Sequence, residues 1–326
     1  HYSTNFPDST PEPLPRMPFL PSSSYRPPAW APGGHLQTVL PALTRQTPKV
    51  TTQAERLELN DGDFLDLEWA NKGRGRLAIL SHGLEASTEA GYMQGMARAL
   101  VRAGWDVLAW NFRGCSGELN RLPQFYHSGA TDDLAAVIAH AHRTHPAQRL
   151  DLVGFSLGGN MTLKYLGENR ERPSILGRAV TFSVPCDLAA SSRKLESRSN
   201  RILYMRRFLR SLSAKVRAKH PRFPEQLDPA GLEGVATFRQ FDNRYTAPLH
   251  GFRDAEHYWA RSMSRQFLPG IGIPTLLVNA ANDPFLAPAC FPTEEAEGST
   301  AFHLEIPREG GHVGFPGGQD GALWSE

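Results

Sequence analysis

From Glu55 onward two hydrophobic rhythms alternate along the chain. Short apolar runs rich in branched residues read as strands: "FLDLEWA" (64–70), "RLAILSHG" (76–83), "DVLAWNF" (106–112), "RLDLVGFS" (149–156) and "RAVTFSVP" (178–185). Between them, "EAGYMQGMARALVRAG" and "ATDDLAAVIAHAHRTH" carry apolar residues at helical spacing, with Thr131 and Asp132 suited to the first turn of the second. Nearly continuous apolar strands that alternate with helices predict a mostly parallel central sheet covered by helices on both faces. The rhythm stops over 188–262, which has no clear strand, and returns at "IPTLLVNAAND" (273–283) and "AFHLEIP" (301–307). The predicted organisation is therefore an α/β core over 33–187 and 263–326, interrupted by a helical cap at 188–262. A Pro-rich arm over 1–32 precedes it: nine prolines fix φ and remove donors, so an extended segment is expected there. After the last strand a closing helix is expected, yet the chain reaches "GALWSE" without the pattern for one, so an incomplete C-terminus is expected.

Composition narrows the class without naming a function. With 40% hydrophobic and 21% charged residues the chain is globular, and no apolar run reaches the length of a membrane-spanning helix. The start lacks the basic-then-apolar layout of a secretory signal, and it lacks an initiator Met. Cys115, Cys186 and Cys290 are too few for a disulfide framework, so a reduced, cytoplasmic protein is expected. A net charge of +2 says little about partners.

The chemistry concentrates at "GFSLGGN" (154–160). A strand ends on Ser156 and a credible helix, "LGGNMTLKYLGE", begins just after it. Glycines at −2 and +2 leave room where larger side chains would collide with that strand and helix, and the helix N-terminus favours negative charge. A simple helix cap would not require both glycines, so Ser156 reads as a nucleophile held on a strained corner.

A serine hydroxyl needs a base to take its proton. With a nucleophile on such a corner, the acid and the histidine are expected later in the chain, each after the end of a strand. Asp283 follows "TLLVNAAN" and His312 sits in the glycine-flanked loop "EGGHVGF". His303 lies within a strand and His82 precedes the serine, so neither fits the order. Asp187, in "VPCDL", is the alternative acid. Backbone N–H groups for an oxyanion are expected from Leu157, after the nucleophile, and from Leu84 in "SHGLEAS".

Taken together, "RPPAWAPGGHLQTV", "HGLEAS", "NFRGCSGELNR", "YHSGATDDL", "GFSLGGN", "SVPCDL", "FDNRYTAPLHGF", "ANDPF" and "GGHVGF" resemble the YheT-type α/β-hydrolases from about residue 25 to about 315. The resemblance implies the α/β-hydrolase fold, a carboxylesterase-like activity, Ser156, Asp283 and His312 as the catalytic triad, and no cofactor or metal. Eukaryotic members of the family include phospholipid-acting membrane enzymes and yeast enzymes that make or cleave medium-chain ethyl esters. No counterpart of their membrane anchor is expected within this sequence, so a membrane role is not expected. His35, Arg113 and His127 lie in family motifs, and for them, as for Cys115, structural roles are favoured.

The expected activity is hydrolysis of short- to medium-chain carboxylic esters, or of a lipid ester, through an acyl-enzyme. Two alternatives remain open: acyl transfer to an alcohol through the same acyl-enzyme, and a hydrolase-fold binding protein without catalysis. Epoxide hydrolases and dehalogenases place a carboxylate at the corner, where this chain has serine. Within the insertion, 191–222 carries eleven Lys or Arg against one Glu. The readings are a solvated face of the cap, peripheral contact with anionic lipid or substrate, or a nucleic-acid surface, the last disfavoured by the overall charge. Ile202, Leu203, Tyr204 and Phe208 are expected to line an acyl pocket beneath the cap.

Overall fold

A computed structural model of the chain describes residues 19–20, 23–71 and 73–326. Most of the expected arm, residues 1–18 and 21–22, lies outside them; from 23 to 32 the chain holds no helix. Among the described residues one sheet of nine strands runs through the molecule in the order β1-β9-β8-β7-β6-β4-β5-β3-β2. The strands are β1 Phe19–Leu20, β2 Gln53–Glu58, β3 Phe64–Ala70, β4 Arg76–Ser81, β5 Asp106–Trp110, β6 Arg149–Phe155, β7 Leu176–Phe182, β8 Thr275–Val278 and β9 Phe302–Glu305. β3 runs antiparallel to both its neighbours, β2 and β5, near one edge, and the remaining pairings are parallel.

Helices follow most of the parallel strands, with α1 at Gly33–Thr44, α2 at Gly91–Arg102, α3 at Thr131–Thr144 and α4 at Leu157–Gly167. The inserted segment supplies α5 Leu188–Leu195, α6 Arg206–Lys219 and α7 Ala255–Ser262, and no strand. Met93, Met96 and Ala97 of α2 pack on Ala78, Leu80, Val107 and Ala109 from one sheet face. Leu134, Val137 and Ile138 of α3 and Met161 and Leu163 of α4 pack on Leu77, Ile79, Leu108 and Leu152 from the other. That double coverage is why strands such as β4 and β5 are apolar at nearly every position rather than alternating. The insertion has its own apolar cluster, with Tyr204, Met205, Leu209 and Val216 packed against Phe241, Tyr245 and Trp259.

The topology decides where chemistry can sit. The chain leaves β4 toward β5 on one side and returns as β6 on the other, so the C-terminal ends of β4 and β6 flank a topological switch point. Ser81 of β4 lies opposite Gly154 of β6. The residues just beyond therefore meet: a methyl group on Gly83 would lie 3.2 Å from the Ser156 Cβ.

One helix has no announcing pattern in the sequence. No helix is predicted over 33–44, yet α1 is there. Its buried residue is the polar Gln37, while Leu36 and Leu43 face outward and Pro41 lies inside it, so no inward apolar stripe announces it. After β9, where the sequence has no helical pattern, the described residues hold only a short helical turn at Gln319–Gly321.

Candidate active site

Ser156 stands between the last residue of β6 and the first of α4, with φ 51° and ψ −116°. That positive φ is a strained conformation for a residue with a Cβ, of order 1–3 kcal/mol. The surroundings enforce it. The Ser156 N–H donates to Phe182 O of β7 at 2.8 Å, and Ser156 O accepts the Asn160 N–H at 3.0 Å. A methyl group on Gly154 would lie 2.7 Å from Gly159 Cα, and one on Gly158 would lie 2.4 Å from His82 O. Both expected glycines are thus dictated by backbone that cannot move aside.

Two later loops reach the serine. The His312 Nε2 lies 2.9 Å from Ser156 Oγ, and its Nδ1 lies 2.8 Å from Asp283 Oδ2 and 3.1 Å from Oδ1. With the proton on Nδ1 facing the carboxylate, Nε2 is left as the acceptor for the serine hydroxyl. Asp283 is buried, and its Oδ1 also accepts the Phe285 N–H at 2.8 Å. The Phe285 ring stacks on the His312 imidazole with centroids 3.8 Å apart. Asp187, the alternative acid, instead caps α5 by accepting the Ala190 N–H at 2.8 Å. His303 stays on β9, facing Leu276 of β8.

The loop after β4 closes the other side. His82 is buried, accepts the Phe112 N–H on Nε2 at 3.1 Å and places Nδ1 2.7 Å from Gly83 O. Burial pushes its pKa down to about 3, so the ring is neutral and braces the turn. The Gly83 N–H donates to Tyr92 Oη at 2.9 Å and the Glu85 N–H to Tyr126 Oη at 2.8 Å. Between them the Leu84 N–H, like that of Leu157, has no acceptor among the described residues. Glu85 adopts φ 52° and turns its buried carboxylate toward Lys215 Nζ at 2.7 Å and Ser211 of α6. The insertion is thereby fastened to the loop that carries Leu84.

Several side chains at the site escape a reading of the sequence. Gln37 of α1 is fully buried. Its Oε1 accepts from Asn282 Nδ2 at 2.9 Å and from the Gly310 N–H at 2.8 Å, while its Nε2 donates to Ala31 O at 2.9 Å and Glu309 Oε2 at 3.2 Å. Next to it, Thr38 Oγ1 accepts the His312 N–H at 2.8 Å. Ser183 Oγ takes the Val313 N–H at 2.8 Å. The one available signal was the polar pair Gln37-Thr38 beside His35 in "GGHLQT", and long-range contacts gave it no partner in the sequence.

Other motif residues build scaffold. Arg113 grips Asp133 through two bonds of 2.9 and 2.7 Å and reaches Asp61 at 2.7 Å. His127 is half-buried beside His250, ring centroids 4.4 Å apart, and its desolvation holds its pKa well below the ordinary range. His35 Nδ1 lies 3.0 Å from Tyr204 Oη. Cys115 is pushed up to about 11 by burial, which suits a packed thiol and not a nucleophile. The expected acyl-pocket lining needs correction: Tyr204 and Phe208 pack on Phe285, but Ile202 and Leu203 are exposed, because the widened π-type turn Arg201–Met205 rotates them outward.

Residues 79–290 match the family model of the α/β hydrolase fold. The chain is 37% identical over 292 residues to YheT, a candidate esterase of Escherichia coli (strain K12), covering 87% of this chain and 84% of that one. It is 28% identical over 303 residues to the phospholipase ABHD3 of Mus musculus, covering 90% of this chain and 74% of that one. Among solved structures it resembles the Pyrococcus furiosus esterase Pf2001, with a TM-score of 0.54 over 82% of this chain and 91% of that one. At 16% identity that last likeness is one of fold. Among the described residues no helix is long and apolar enough to cross a membrane.

Proposed function

The chain belongs to the α/β-hydrolase fold family, as a YheT-type member, and from that membership we propose that it is a serine hydrolase of carboxylic esters. The observation that carries this reading is the continuous hydrogen-bonded line from Asp283 through His312 to Ser156, at 2.8 and 2.9 Å, on a strained strand-to-helix corner. Ser156 Oγ attacks the ester carbonyl carbon while His312 Nε2 takes its proton. Asp283 holds the imidazole in the required tautomer and stabilises the imidazolium. The Leu84 and Leu157 N–H groups receive the oxyanion. Collapse of the tetrahedral intermediate breaks the ester C–O bond, and His312 returns its proton to the departing alcohol. Water then gives a proton to His312, attacks the acyl-enzyme and releases the acid, and Ser156 recovers its hydrogen.

The substrate in this reading is a short- to medium-chain acyl ester or a lipid ester, reached beneath a cap formed by 188–262 on a core of 33–187 and 263–326. Three free thiols suit a reducing, cytoplasmic setting. The test is intact mass after fluorophosphonate treatment of the wild type, Ser156→Ala and His312→Ala. Labelling of the wild type alone supports the reading. No adduct on the wild type overturns it.

A further inference from the structure

We propose that the face around the turn Arg201–Met205 is a docking surface for an anionic lipid bilayer. Ile202 and Leu203 at this turn are 56% and 47% exposed, while the following Tyr204 and Met205 are buried. Around them Arg198, Arg201, Arg206, Arg207 and Arg210 are exposed, and none has a carboxylate partner among the described residues. Farther along α6 the pattern changes: Lys215 pairs with Glu85 at 2.7 Å and Arg217 with Glu233 at 2.8 Å. On α6 the exposed cations without a carboxylate partner, Arg206, Arg207 and Arg210, are therefore those beside the exposed aliphatic side chains. Beside it, α1 touches the turn through His35 and Tyr204, 3.0 Å apart, and leaves Leu36 and Leu43 exposed by 42% and 72%. These two lie seven residues apart, on one stripe of that helix.

Charge selects the occupant. Residues 191–222 carry eleven Lys or Arg and one Glu in a chain of net charge +2, so the remainder is net acidic and the molecule is strongly polarised. Such a molecule presents this one face to an anionic surface, where arginines meet lipid phosphates and the aliphatic pair enters the interface. A second copy seated two-fold on the same patch would set arginine against arginine. A nucleic acid would call for exposed rings to stack its bases, and within 191–222 Tyr204 is buried and Phe208 half-buried.

The patch also lies close to the chemistry. Tyr204 contacts Phe285 with centroids 4.7 Å apart, and Phe285 stacks on His312 at 3.8 Å. Two ring contacts separate the exposed turn from the imidazole, so a lipid ester leaving the bilayer has a short apolar route to Ser156. That delivery step rests on the esterase reading; the docking itself does not.

The experiment is co-sedimentation of the full chain, as Ser156→Ala, with vesicles of phosphatidylcholine alone or mixed with phosphatidylserine. Binding to the mixed vesicles is expected to be about tenfold tighter than to phosphatidylcholine, and to weaken in high salt. Adding Ile202→Ser with Leu203→Ser, or Arg206→Gln with Arg207→Gln, is expected to lower it by about tenfold. With Ser156 intact, both pairs of substitutions are expected to hydrolyse a water-soluble p-nitrophenyl ester at the wild-type rate. Equal binding to both vesicle types, or no effect of either pair, overturns the proposal. So does a wild-type dimer in sedimentation equilibrium that the Ile202 and Leu203 changes dissolve. If fluorophosphonate labelling fails while vesicle binding holds, the esterase reading falls and the docking surface stands.

Discussion

The Gln37 side-chain oxygen lies 2.9 Å from Asn282 Nδ2, one residue before Asp283, and the same oxygen takes the Gly310 N–H two residues before His312. One buried side chain on α1 thus holds the acid loop and the histidine loop in register. Gln37 touches neither Ser156 nor a substrate and is a positioning residue. Gln37→Ala is expected to slow fluorophosphonate labelling by about tenfold or more, since small misplacements of a catalytic group are costly. It should also cost about 1–3 kcal/mol of stability by leaving buried donors unpaired. With a soluble ester, kcat should fall while KM stays near its wild-type value. A change in KM alone, with the labelling rate unaltered, would contradict the positioning role.

Ser156 holds φ 51° at a site where every neighbouring backbone group is fixed. Both Ser156→Ala and Ser156→Gly should abolish labelling, but only glycine relieves the strain. Ser156→Gly is therefore expected to be more stable than Ser156→Ala by about 1 kcal/mol, a difference visible in paired denaturant melts. Equal midpoints would mean that the corner is unstrained.

Acid-side stability carries a mark of segment 188–262. Asp242 is buried, accepts from Thr246 Oγ1 at 2.6 Å and Trp259 Nε1 at 2.8 Å, and burial raises its pKa to about 6. The folded carboxyl then holds its proton more tightly than the unfolded one. Its contribution is fully present below the unfolded value, about 4, and is lost as pH rises through about 6. Asp242→Asn keeps the shape without the titration. Relative to it, the wild type is expected to lose up to about 3 kcal/mol between pH 4 and pH 6, followed by thermal melts across that range. Parallel melting curves for the two proteins would remove the assignment.

What the sequence discloses and what it hides divide along a physical line. Strands β3 to β7 and helices α2 to α4 are legible because each buries an apolar face whose period is local. Ser156 is legible for a related reason: Gly154 answers to contacts within the same strand-turn-helix unit, while Gly158 answers to Ser81 and His82 at the end of β4. The helix α1 is not legible, because what it buries is an amide whose partners lie some 245 and 273 residues away. Ile202 and Leu203 mislead for the opposite reason, being apolar residues that the turn sends outward.

Glu85 and Lys215 join the loop of Leu84 to α6, 2.7 Å apart, with Tyr126 Oη donating to the same carboxylate at 2.8 Å. The Glu85 side chain is only 3% exposed, so this pair is shielded from solvent and removing one partner strands the other. Glu85→Gln alone is expected to destabilise the protein by about 3 kcal/mol, and Lys215→Met alone by a similar amount, with the double variant recovering part of the loss. The effect should extend beyond stability. Glu85 follows Leu84 directly and holds φ 52°, so releasing its side chain loosens the turn that aims the Leu84 N–H. Labelling by fluorophosphonate is therefore expected to slow in Glu85→Gln by about tenfold, approaching the loss of one oxyanion donor. Lys215→Met, which leaves Tyr126 on the carboxylate, should slow it less. If the two single variants lose stability equally yet label at the wild-type rate, the ion pair fastens the cap without setting the oxyanion loop.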